Sequence, residues 1–243
     1  MSGHALPIDW AAFDPSGIDP PLLAAAQHTW RDRVGTEYRS MQIVARFLEE
    51  VLAGGEDLAV ARMIVEMVAE EQTHAEICGE MCRALGATPP SPAEVAAPPA
   101  DLAAVPIRER ILASAISMFL VAEAFSVGYL GDLAERCRDP LVSRVLAVIG
   151  GDEDAHQAFG PRYVGELLAR EAPERRAGWR RFTEKRVAEH LDRARKNLAA
   201  PAAPYDEQTL ADLGLHSERR IGEVCLATYE AVIAPRLREL DLV

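Results

Sequence analysis

Two short motifs, Glu71-Gln72-Thr73-His74 and Glu153-Asp154-Ala155-His156, each set a carboxylate three residues ahead of an imidazole. On a helix that spacing puts both side chains on one face, within reach of a single ion. A lone glutamate precedes each motif at a similar remove: Glu37 lies 34 residues before Glu71, and Glu123 lies 30 before Glu153. Carboxylate oxygens with imidazole nitrogens, and no thiolate required, suit iron or manganese. About one residue in ten is Glu, so a single Glu-x-x-His usually marks a solvated helix face. The repeat of glutamate then motif, twice over, is harder to place on solvated faces.

The elements that must position these residues read as helices. Strand signals are almost absent, aromatics are only 6%, and alanine is abundant. Helices are expected over about 20–53, 56–86, 107–136 and 140–170, then about 174–198 and 217–239. Asp19-Pro20 and Asp139-Pro140 place a capping residue before a proline at a first helical position. Gly54-Gly55 punctuates the first pair, and residues 87–106 hold six prolines, which a continuous helix does not tolerate. That stretch reads as a long crossover between two helical hairpins.

Each of the first four helices carries an apolar seam with gaps of three and four. The seams run Val34, Glu37, Met41, Val44; Met67, Glu71, His74, Cys78; Phe119, Glu123, Ser126, Leu130; and Ile149, Glu153, His156, Gly160. In every seam the apolar run is broken at its middle by glutamate. Burying four ionised carboxylates in one core costs several kcal/mol each, and their mutual repulsion adds to it. No seam position carries Lys or Arg to neutralise them, whereas two divalent cations would.

On these residues the chain resembles the ferritin-like di-iron carboxylate proteins over about residues 20–170. The resemblance implies an all-α fold: a ferritin-like four-helix bundle with a long crossover between hairpins. It also implies one domain over 1–243, with an N-terminal extension at 1–19, the bundle at 20–170 and additional C-terminal helices at 171–243. By the same resemblance Glu37 and His74 would be terminal ligands of one iron, Glu123 and His156 of the other, and Glu71 and Glu153 would bridge. The two ions would be iron, with a manganese–iron pair as the variant. The oxygen-activating branch places an acceptor before each motif glutamate to hold the opposite histidine. Carried over, Glu70 would hold His156 and Asp152 would hold His74; the bland alternative is two solvated carboxylates. Ala155 departs from that branch, which often has Arg there.

Within the family, the position one turn after the first ligand histidine is Cys78, not the radical tyrosine of ribonucleotide reductase small subunits. Ile149 stands where aminobenzoate N-oxygenases add a third histidine. Paired CxxC segments of the rubrerythrin kind are absent. A small-molecule oxygenase or oxidase is therefore expected, similar in size to aldehyde-deformylating oxygenases. It would use dioxygen and an external electron donor, since no flavin or nicotinamide glycine fingerprint is visible. Iron handling without an organic substrate is the alternative. Cys78, Phe119, Val127 and Gly160 would line an apolar pocket beside the ions, although a buried core role is the ordinary fate of Cys78. Gly150-Gly151 suggests a bulge or close approach ahead of Glu153, or a tolerated weakness.

The net charge of −12 argues against nucleic acid as a partner. Four cysteines in 243 residues make no disulfide framework, and MSGHALPIDW lacks the basic start and apolar core of a signal peptide, so a cytoplasmic location is expected. Residues 111–130 are apolar enough for a membrane span, but a buried third helix with Glu123 on metal is the preferred reading, with no membrane. Residues 161–200 carry +5 against −17 for the rest. That cluster reads as a solvated, partly paired face or as a docking surface for an acidic carrier protein or reductase. The expected assembly is a monomer or homodimer.

Overall fold

The computed structural model describes residues 8–95 and 105–243, except for the side chains of Asp152 and Asp154. It is all-α, with no strand among the described residues. Helix α1 (Pro20–Gly54) ends where Gly55 takes φ 71°, a left-handed conformation that glycine adopts without steric penalty. Helix α2 (Leu58–Ala84) is capped by Asp57, whose carboxylate accepts from the Ala59 N–H. Helix α3 (Ile107–Arg136) and helix α4 (Pro140–Ala169) follow, and Asp139 caps α4 by accepting from the Leu141 and Val142 amides. Asp19 does not cap α1; its carboxylate instead accepts from the Tyr205 hydroxyl. The proline-rich crossover contains a short 3-10 turn, Pro92–Glu94, with a Ser91–Glu94 capping box; residues 96–104 of it lie outside the described residues.

Helix α3 is not uniform. Residues Ile116–Ala122 form a π-helical segment, and the Glu123 N–H donates to Met118 O, five residues back. No glycine or proline in this stretch announces it. Helix α4 runs unbroken through Gly150, Gly151 and Pro161. A Cβ at either glycine would meet nothing within 4 Å, so the expected bulge or close approach at Gly150-Gly151 is not there.

Helix α1 packs along α2, and α4 packs on α3 and α2, while α1 also meets the start of α3. Two apolar clusters result. One holds Phe47, Met67, Phe119 and Phe159, and the other holds Val34, Cys78, Leu133 and Ile149. On each of the four helices the seam glutamate lies between a residue of one cluster and a residue of the other. The carboxylates therefore form a polar layer between two dry ones.

Helix α5 (Pro173–Leu198), the short α6 (Glu207–Ala211) and α7 (residues 218–239, with a π segment at Tyr229–Ile233) close the same core. Trp179 and Val187 of α5 join Ile233 and Leu237 of α7 in the first cluster. Gly222 lets α7 approach α5, since a Cβ there would come 2.7 Å from Ala194 O. Helix α3 is long and apolar enough to cross a membrane, yet half of its most apolar stretch is buried against α4, α5 and α7.

Candidate metal centre

Seam spacing brings the six candidate ligands into two groups, Glu37, Glu71 and His74, and Glu123, Glu153 and His156. Within each group the donor atoms lie within 4.8 Å of one another. His74 Nδ1 is 4.0 Å from Glu71 Oε2 and 3.9 Å from Glu153 Oε1. His156 Nδ1 is 3.4 Å from both Glu123 Oε1 and Glu153 Oε2. The Glu153 carboxylate thus spans the groups, one oxygen toward each imidazole. Either group could hold a metal ion.

Burial makes the electrostatics severe. Desolvation and then the charge of Glu37 push the Glu71 carboxyl up to about 10. Desolvation likewise raises Glu37, which hydrogen-bonds to Glu71, and lifts Glu153 to about 8. Burial acts to lower His156, but the Glu123 and Glu153 carboxylates 3.4 Å away outweigh it and push the imidazole up to about 11. Burial acts to raise Glu123, but the adjacent His156 imidazole and Glu153 outweigh that and lower it. Without a metal, the repulsion is relieved chiefly by protons held on carboxylates and imidazole. Glu123 Oε1 and Glu153 Oε2 are buried with no hydrogen-bond partner among the described residues. A divalent cation in each group would satisfy these oxygens and replace those protons, so the residues fit a pair of metal ions.

Glu70, on the next helical position before Glu71, places Oε2 2.7 Å from His156 Nε2. The imidazole thus turns Nδ1 toward the carboxylates and Nε2 toward Glu70, an arrangement that fixes the tautomer of a metal-bound histidine. The Asp152 side chain, expected on His74, lies outside the described residues.

A cavity of about 320 Å³ opens directly on Glu37, Glu71, Glu123 and Glu153. Its wall is not the one expected. Cys78 is closed inside the second apolar cluster, and Phe119 packs between Phe47 and Phe159 at 5.1 and 5.0 Å. Gly160 is filled by its neighbour, because a Cβ there would stand 2.1 Å from Phe119 O. Val127 is half-buried and does not line the space. The wall is formed instead by Thr29, Arg33, Thr36 and Ser40 of α1, Ser126, Tyr129, Leu130 and Leu133 of α3, Ile149 of α4, and His216 and Ile221.

Two of these residues escape the sequence. Arg33 lies four residues before Glu37, hence on the same helix face, and its charge lowers Glu37 against burial. The seams themselves carry no Lys or Arg, but Arg33 acts on Glu37 from beside the seam; the i, i+4 spacing was the available signal. His216 precedes α7, and no local pattern connects it to the centre.

The basic helix is largely engaged within the chain. Arg175 pairs with Glu109 and Glu171, each at 3.1 Å, Arg186 with Glu189 at 3.0 Å, and Arg180 with Asp241. Arg176 donates to Leu168 O at 3.0 Å. All four cysteines are free and buried.

Fold and site define an all-helical protein with two adjoining carboxylate–imidazole groups able to hold metal. No protein-family model, no curated protein and no solved structure matches this chain.

Proposed function

We propose that the chain is a ferritin-like four-helix bundle housing a non-haem di-iron centre, and that it oxidises a small organic molecule with dioxygen. The observation that carries this reading is the Glu153 carboxylate, with oxygens 3.9 Å from His74 Nδ1 and 3.4 Å from His156 Nδ1. A carboxylate so placed is a natural bridge between two ions. Helices α1 to α4, each giving one glutamate to a common layer, support the bundle reading, with 171–243 as an addition to a single domain. The expected ions are iron, with manganese–iron as the variant, in a cytoplasmic monomer or homodimer.

Glu37 and His74 would hold one ion, Glu123 and His156 the other, and Glu71 and Glu153 both. The chemistry such a pair supplies when bound is redox chemistry with dioxygen as oxidant, its electrons drawn from an external donor. The chain's own residues do the rest. Glu70 accepts from His156 Nε2–H and holds the ring against rotation. Phe47, Phe119 and Phe159 wall off one side from water. The cavity on the other side, lined by Leu130, Leu133 and Ile149 as well as hydroxyls, gives an organic substrate room beside the carboxylates. That space favours an organic substrate over iron handling alone.

Anaerobic reconstitution with ferrous iron, followed by metal analysis, tests the centre. Native protein should take up about two ions per chain, and Glu71→Ala or Glu153→Ala should lower that number because each removes a bridge. Full loading of both variants overturns the assignment. Assembly into a many-subunit shell that mineralises iron overturns the oxidase reading.

A further inference from the structure

Arg33 is the one Lys or Arg among the described residues that line the cavity. Its Nη2 donates to Gly214 O at 2.7 Å, and its guanidinium sits 4.4 Å over the Trp30 ring. Its Nη1 is buried with no hydrogen-bond partner among the described residues, and no described carboxylate comes within ion-pair distance. Glu37, one turn on, groups with Glu71 and His74 instead. Burial lowers the Arg33 pKa, and the nearby Cys78 and Glu37 offset this only in part. The other basic groups nearby are occupied. Arg136 and Arg220 both lie on Asp132, at 3.2 and 2.5 Å. His216 also lies on Asp132, at 2.9 Å, and burial pulls its pKa to about 4, so it is neutral at pH 7.

A buried cation with one arm free is costly unless an anion completes it. With two dications balancing four carboxylates, Arg33 is left as the uncompensated charge of the cavity. The planar guanidinium fork matches a carboxylate. We infer that Arg33 anchors the carboxylate of the substrate, a small organic acid whose apolar body rests on Leu130, Leu133, Ile149 and Ile221. The inference rests on the metal reading, since metal-free glutamates would repel an anion.

The test is calorimetric binding of benzoate, benzamide and phenyl phosphate to full-length protein loaded with redox-silent zinc. Benzoate should bind at least roughly tenfold more tightly than benzamide, as expected for one charge-assisted hydrogen-bonded contact. Arg33→Gln should abolish that preference, and Arg33→Lys, which keeps the charge but loses the fork, should retain part of it. Melting curves identify a variant that fails to fold, and the native benzoate-to-benzamide comparison stands without either variant. Equal binding of benzoate and benzamide overturns the inference. So does undiminished benzoate binding by folded Arg33→Gln, which would mean that the metal itself takes the carboxylate. Tighter binding of phenyl phosphate than of benzoate overturns the carboxylate assignment. Zinc is counted on the same samples: its absence overturns the metal reading and the anchor with it, whereas the other failures overturn the anchor alone.

Discussion

Removing the Glu70 carboxylate should weaken metal binding without touching a ligand. Glu70 Oε2 lies 2.7 Å from His156 Nε2, on the side of the ring away from Glu123 and Glu153. A hydrogen bond to a charged acceptor contributes roughly 1.5–3 kcal/mol, against about 0.5–1.5 for a neutral one. The Glu70 side chain is 29% exposed, so water can partly replace it, and the loss in Glu70→Ala should fall toward the lower end. That corresponds to a metal dissociation constant raised about tenfold, at the low edge of the roughly 10- to 100-fold range for such partners. Glu70→Gln keeps an amide oxygen as acceptor and should lose only about half as much free energy. Glu66, one turn earlier and exposed, is the control, because Glu66→Ala removes the same charge from the same helix without a contact to the ring. Competition titration of cobalt(II) against a chelating dye reads the affinity, and the cobalt absorption spectrum reads the coordination geometry. If Glu70→Ala and Glu66→Ala agree within about twofold, Glu70 acts only as a distant charge and the argument fails.

Two further outcomes follow from packing and titration. Gly160→Ala would drive a Cβ to 2.1 Å from Phe119 O and 2.5 Å from its carbonyl carbon, both backbone atoms of the π segment that precedes Glu123. The variant should melt earlier, by an overpacking cost of about 1–3 kcal/mol, and should load less metal; a native melt with native loading would refute the close approach. Chelator-treated protein should lose stability as pH rises from 4.5 toward about 10, most steeply below about 8, because the folded state holds protons on Glu153 and Glu71 that the unfolded chain releases. Metal loading should remove that slope, and chemical denaturation across this range, with and without zinc, measures it; a slope of the opposite sign in the metal-free protein contradicts the burial argument.

Much of the centre was legible in the chain because helix periodicity is local. The gaps of three and four in each seam carry Glu37, Glu71, His74, Glu123, Glu153 and His156 to one face of each helix with no knowledge of the partner helix. Helix ends were legible for the same reason, since Asp139 and Gly55 act on their own backbone neighbours. The pocket was not legible. A residue one turn from a ligand shares its helix face, but which of those residues borders open space depends on what the opposite helix inserts. Gly160 looked like room and is occupied by the Phe119 carbonyl. Arg33 and His216 lie 183 positions apart and meet on one wall only because the chain after α5 returns across α1, with Trp30 Nε1 donating to Leu213 O at 2.9 Å. The π segment before Glu123 is likewise not announced locally: seven apolar or small residues specify a helix, and the i→i−5 bonding occurs where the Phe119 backbone packs against Gly160. Spacing along the chain determined which residues share a face, and the contacts between helices decided which faces enclose space and which close against each other.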